Sequence, residues 1–149
     1  MRFMMLVKGD ANPDATGAAA YQPTEQDLAA MGAFNEEMVK AGVMLSAEGL
    51  HPTSKGARVV ISDPGKKVID GPFAESKEVI AGYWILETKS LAEAVEWAKR
   101  CPNLAPPDCE NEVELRQIFE MDEFGDEFTP ELQEQEAKSR EQAAANAGS

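Results

Sequence analysis

The sequence holds one histidine and two cysteines in 149 residues. A structural or catalytic metal centre needs several such ligands at close spacing, and no such cluster occurs. Basic residues are scarce as well. Fourteen Lys and Arg stand against 27 Asp and Glu, for a formal charge of −13. A surface of that sign repels the phosphates of nucleic acids and acidic membranes, so neither is expected as a partner. The N-terminal apolar run Phe3-Met4-Met5-Leu6-Val7 is too short for a signal core or a membrane span, and Gly9-Asp10 stops it. Phosphate-binding glycine loops, dinucleotide fingerprints and nucleophile elbows are missing too. These absences predict a cytoplasmic protein with no metal and no cofactor. The two thiols, Cys101 and Cys109, have seven residues between them. That loop permits a disulfide, whereas a reducing cytoplasm favours two free thiols.

What is present fits one α+β domain over residues 1–121 and an acidic, partly helical tail over 122–149. Apolar residues make up 43% of the chain, enough for one core. Phe3–Val7 reads as a strand buried on both faces. Residues 9–23 are rich in Gly, Ala, Asn, Pro and Asp and read as a long loop. Pro23-Thr24 with Asp27 forms a helix start with a capping box, and Leu28, Met31, Phe34 and Met38 supply an apolar stripe ending at Gly42. A strand follows from Val43 towards Leu50. Arg58–Ser62 and Lys67–Ile69 form a hairpin around Asp63-Pro64-Gly65-Lys66, where Pro fixes φ and Gly tolerates positive φ. Ile80–Leu86 is another strand. Ser90 to Glu93 caps a second helix that is expected to bury Leu91, Ala94, Val95 and Ala98 and to stop before Pro102. Val113, Leu115 and Phe119 lie on one face of a last long strand. The order β-α-β, hairpin, β-α-β is the split βαβ, ferredoxin-like arrangement, with both helices on one face of an antiparallel sheet.

Helices cover one face of such a sheet. If water covered the other, the strands would alternate apolar and polar. Instead Met4 and Leu6 are flanked by Phe3, Met5 and Val7, and Tyr83 and Ile85 by Trp84 and Leu86. A second apolar face calls for a cover, either a second copy related by a two-fold axis or the chain's own tail. In the tail, Thr129-Pro130-Glu131 starts a helix without an apolar stripe. It is either a solvated, fraying end or a swapped arm anchored by Phe124 and Phe128.

Few residues carry candidate chemistry. His51, before Pro52 at a strand end, carries an imidazole, a side chain that suits a general base. Asp70 opens the Asp-Gly-Pro-Phe turn; its carboxylate either faces a pocket or accepts amides of its own turn. Glu75 and Lys77 follow as a pocket rim or a solvated cluster. Arg58 and Arg116 lie in strands, positioned for a ligand carboxylate or for local ion pairs. Tyr83 or Trp84 would wall the pocket.

The block Asp70-Gly71-Pro72-Phe73-Ala74-Glu75-Ser76-Lys77-Glu78, followed by Ile80-Ala81-Gly82-Tyr83-Trp84, resembles the DGPF subgroup of the YciI-related family. Gly49-Leu50-x-Pro52, Ala94-x-x-Trp97-x-x-Arg100-Cys101-Pro102, Glu114-Leu115-Arg116 with Phe119-Glu120, and Thr129-Pro130-Glu131-Leu132 resemble it too. The resemblance implies a ferredoxin-like domain of the dimeric α/β-barrel superfamily, which includes small isomerases, monooxygenases and chlorite-removing enzymes; the fold alone does not choose among them. It further implies a histidine–aspartate pair as the site. Asp70 matches that aspartate, and His51 stands at the x of Leu-x-Pro. Relatives of this type often occur near sigma-factor genes. Two functions follow as expectations. One is a homodimer that binds a small molecule, with cofactor-free acid–base catalysis by Asp70 or His51 near Glu75, Lys77, Arg58 and Tyr83 or Trp84. The other is a regulatory protein tied to transcription that acts through its tail and dimer surface.

Overall fold

The structure is a computed structural model and describes residues 1–9, 23–71, 79–103 and 111–149. The elements in chain order are β1 (Arg2–Gly9), α1 (Glu25–Lys40), β2 (Met44–Gly49), β3 (Ala57–Ile61), β4 (Lys66–Asp70), β5 (Ile80–Glu87), α2 (Leu91–Ala98), β6 (Asn111–Gln117) and α3 (Pro130–Ala147). Short 3₁₀ turns cover Thr53–Lys55 and Met121–Glu127. Two units are distinct, Met1–Gln117 and Ile118–Ser149. Most of the expected 9–23 loop, and most of the stretch before β6, lie outside the described residues.

In the first unit an antiparallel sheet has the order β2-β5-β1-β6, and β3 and β4 pair separately as a hairpin. This is an α+β fold consistent with the ferredoxin-like arrangement. Helix α1 begins as its sequence dictates. Thr24 Oγ1 accepts the Asp27 amide at 3.1 Å, and the Asp27 carboxylate accepts the Thr24 amide at 2.9 Å. It ends in a Schellman motif. Gly42 takes φ 71°, its amide bonds Val39 O at 3.0 Å, and the Val43 amide bonds Met38 O at 2.9 Å. The motif turns Val43 down onto Met38, and both are buried.

Phe34 and Met38 of α1 pack on Met5, Trp84, Leu86 and Val43. Trp84 meets Phe34 edge-on at 5.9 Å, and its indole N–H donates to Asn35 Oδ1 at 2.8 Å. Trp84 can thus be buried with its one polar atom satisfied. From α2, Ala94 is buried while Trp97, Ala98 and Cys101 pack against the same cluster. Both helices lie on this side of the sheet.

Four expectations need correction. Leu28 is 60% exposed, because the side of α1 that meets the core begins one turn later, at Met31. Leu91 and Val95 are exposed, because α2 is turned so that the stripe Ala94, Trp97, Ala98, Cys101 meets the core and the large Trp97 takes the inner position. Phe119 is not in β6. Gln117 pairs with Phe3, one residue from the start of β1, and beyond that rung the strand has no partner. Gly65 does not adopt positive φ; the β3–β4 turn runs through a cis Asp63–Pro64 peptide, with Ser62 and Gly65 hydrogen-bonded at 2.9 Å.

Register divides the sheet residues between two faces. Phe3, Met5, Val7, Trp84, Leu86, Val113 and Leu115 face the helices. The outer face has Met4, Leu6, Tyr83 and Ile85 on the two central strands, and Ser46, Glu48, Glu112, Glu114 and Arg116 on the edge strands. The central strands are apolar on both faces, as their sequence indicates, but the edge strands are polar on the outer one.

In the second unit, Phe119, Phe124 and Phe128 form a chain of ring contacts at 5.2 and 5.4 Å. Thr129 caps α3 through the Leu132 amide, and Pro130 stands at its start. Glu134–Lys138 and Glu136–Arg140 pair one turn apart in the favourable orientation. No residue of α3 is buried.

Met38→Ala is expected to lower unfolding stability by about 2–5 kcal/mol, and Leu91→Ala by less than about 0.5 kcal/mol. Urea denaturation followed by tryptophan fluorescence measures both.

Candidate functional site

His51 follows directly from the β2 ladder, which extends one rung past the strand through the Leu50 amide and Ala81 O at 2.9 Å. Pro52 then opens a 3₁₀ turn, closed by Lys55 N–H to Pro52 O at 3.0 Å and Gly56 N–H to Thr53 O at 2.9 Å. The end of the hairpin comes back onto this turn. Gly71 donates its amide to Gly56 O at 2.9 Å. A side-chain carbon at Gly71 would lie 1.7 Å from the Thr53 carbonyl oxygen and 2.6 Å from its carbon. Only glycine permits this approach, because the obstacle is backbone. The Asp-Gly dipeptide is therefore a seam. It holds Asp70 against the turn that begins beside His51, at the end of the sheet where β2 stops and β5 starts.

Asp70 pairs with Ala57 on the last rung of the hairpin, and its side chain shares a face with Val59, Ile61, Lys66 and Val68. Asp70 and His51 are both exposed in the single chain. The amide that an Asx-turn would first use belongs to residue 72, which is proline and has none. Among the described residues no donor engages the Asp70 carboxylate.

The other candidates separate. Arg58 lies on the opposite hairpin face, across from Ile69. Tyr83 is on the outer face of the sheet, between Leu6 and Glu48. Trp84 points the other way, under the helices, with its N–H spent on Asn35. Of the two aromatics, Tyr83 alone can wall a pocket on the outer face. Glu75 and Lys77 lie outside the described residues, as does Cys109.

One polar group was not singled out from the sequence. Lys8, at the outer-face end of β1, donates to Glu114 at 3.3 Å and lies 3.9 Å from Glu112. Its side chain is only 12% exposed. The available signal was a lysine at the even position of an otherwise apolar strand, with acids alternating at 112 and 114.

The Trp97-x-x-Arg100-Cys101 motif is explained by packing. The Arg100 guanidinium lies 4.6 Å above the Trp97 ring and pairs with Glu37 of α1, tying the end of α2 to α1. Cys101 is a free thiol set against the core, and burial pushes its pKa from 9.0 up to about 11. Among the described residues, no group of three His, Cys, Asp or Glu side chains has the geometry to hold a metal ion, and no helix is long and apolar enough to cross a membrane.

A four-stranded antiparallel sheet with two covering helices, and a hairpin that delivers an Asp-Gly seam to its end, defines a small α+β domain of one type. The chain belongs to the YCII-related domain family, whose model matches residues 1–122. It is also similar to an uncharacterized protein of Rhizobium meliloti (strain 1021), at 30% identity over 124 residues that span 83% of this chain and 98% of the relative.

Gly71→Ala is expected to cost about 1–3 kcal/mol, as overpacking does, while Gly65→Ala, with open space around it, should be near neutral. Chemical denaturation of the two variants compares them directly. Cys101 should alkylate slowly in the native state. Moving the thiol from 9.0 to about 11 cuts its thiolate fraction near pH 8 by about 100-fold relative to the unfolded chain. The native rate should keep rising with pH to about 11 instead of levelling near 9, which iodoacetamide kinetics with peptide mapping will show.

Proposed function

We propose that the chain is a DGPF-type member of its family. In this reading it forms a homodimer of the dimeric α/β-barrel kind and binds a small molecule beside Asp70. The chemistry suited to such a site is cofactor-free proton transfer, with Asp70 or His51 as the base. The observation that carries this reading is the Gly71 seam, where the backbone tolerates no side chain and the result is to set the Asp70 rung against the His51 turn. A seam of this kind serves to position something, and Asp70 is the reactive group it positions. Pro72 removes the nearest amide that would otherwise occupy the carboxylate. Tyr83, half-buried on the outer face, supports a pocket wall; Glu75 and Lys77 follow Asp70 closely enough in the chain to rim it. The homodimer is supported by the apolar outer side of β1 and β5, framed by charged edge strands in the manner of an interface core and rim.

A second reading, a regulatory protein associated with transcription, is favoured by one feature. Helix α3 is eighteen residues long and buries none of them. A helix that the fold does not use is available to a partner.

A thermal-shift screen of small metabolites separates the two. We expect at least one compound that raises the midpoint of the intact protein, with its affinity reduced about tenfold or more by the isosteric Asp70→Asn, a loss near 1.4 kcal/mol. No responding compound, together with Asp70→Asn behaving as the parent in every assay, would remove the small-molecule reading.

A further inference from the structure

The outer face of the four-stranded sheet carries a charge pattern that fits a second copy of itself in one orientation. Its residues fall on successive rungs. Arg2 and Glu87 make the first, and their charges cancel. Arg116, Met4, Ile85 and Ser46 lie across the second, which carries +1. Glu114, Leu6, Tyr83 and Glu48 lie across the third, which carries −2. Lys8 and Glu112 make the next, and cancel again. The apolar residues thus occupy the two middle rungs, and charges of unlike sign stand on either side of the line between them.

These charges are placed to meet a partner. Arg116, Glu48 and Glu112 are exposed, and Glu114 is half-buried with Lys8 Nζ at 3.3 Å. Leu6 is already buried in the single chain, and Met4, Tyr83 and Ile85 are half-buried. An apolar centre inside a charged frame is the layout of an interface.

Two copies that meet face to face by two-fold symmetry need an axis lying in the plane between the sheets. Aligned packing of the sheets leaves two directions for it. An axis along the strands lays each rung over the same rung of the other copy and exchanges the edge strands. Glu114 of each copy then stands over Glu48 of the other, and Arg116 over Ser46. An axis across the strands keeps β6 over β6 and exchanges the ends. The second rung of each copy then lies over the third rung of the other. Arg116 of each copy stands over Glu114 of the other, Ser46 over Glu48, and the neutral first rung over the neutral rung of Lys8 and Glu112. The first arrangement opposes like charges twice, and the second opposes unlike charges twice. Juxtaposed like charges are what an interface selects against.

We infer that the outer face docks on a second copy with the strands of the two sheets antiparallel, Arg116 of each copy resting on the Glu112–Glu114 stretch of the other. The inference rests on the homodimer reading above and names the pairing that orients it. The Glu114 carboxylate then lies between two cations, Lys8 of its own chain and Arg116 of the second copy. The Tyr83 wall of each proposed site is roofed by the Met4–Ile85 rung of the other copy, so neither site is complete alone.

The test uses the full chain. Sedimentation measures the dimer dissociation constant, and circular dichroism checks that each variant is folded. Arg116→Glu and Glu114→Arg should each raise the constant about tenfold at low salt and less at high salt. Lys138→Glu, the same charge change placed on α3, should leave it near the parent's. An equimolar mixture of the Arg116→Glu and Glu114→Arg chains should form mixed dimers in preference to either like pair. Because Glu114→Arg also removes a partner of Lys8, Arg116→Gln serves as the milder variant, and it should weaken the dimer while leaving that pair in place. A dimer tightened by Glu114→Arg marks the other axis and overturns the inference. Single variants with the parent's constant, or a Lys138→Glu effect as large as that of Arg116→Glu, overturn it too. If Ile85→Arg abolishes the dimer while the charge variants leave it intact, the inference falls and the homodimer stands. If the parent sediments as a monomer at all concentrations, the face has another occupant, such as the chain's own tail, and both fall.

Discussion

Met5, Trp84 and Leu86 pack against Phe34 and Met38, and the first unit depends on this contact. It brings two neighbouring strands of the sheet and the longer of its two covering helices into one cluster. It works because Trp84 can be buried whole: the indole body fills the space beneath α1 while Asn35 takes its only donor. Once β5 is fixed this way, the alternation of its side chains is set. Trp84 faces inward, so Tyr83 and Ile85 face outward, and with them the surface on which the proposed dimer rests. The packing of the core and the outward position of Tyr83 are thus consequences of one strand's orientation.

Local signals in the sequence were accurate where the chemistry is local. The Thr24–Asp27 box, the left-handed Gly42, the Ser90 cap and the Thr129-Pro130 start are each decided within a few residues, and each is found in the structure. The expectations that failed depend on distant partners. Whether Leu91 or Trp97 faces inward depends on how α2 is rotated on the sheet. Whether Phe119 belongs to β6 depends on where β1 begins. The Lys8–Glu114 contact joins residues 106 positions apart, so no window on the sequence contains it.

The site was legible in the same uneven way. Asp70-Gly71 stands out as a turn, but the reason for its glycine, the Thr53 carbonyl oxygen, appears only when the two segments meet. Tyr83 and Trp84 are adjacent and similar in kind; alternation separates them, and choosing which one faces outward required the helices. For His51 the structure places the turn that begins beside it against the Asp70 segment, through backbone contacts.

The two tryptophans, Trp84 and Trp97, both belong to the unit Met1–Gln117, and the second unit has none. Emission from these indoles reports on the first unit, whereas far-ultraviolet ellipticity also includes the eighteen-residue helix α3. Any melting of α3 registers in the second signal. The placement of two aromatic residues thus gives the protein a built-in means of resolving its halves optically.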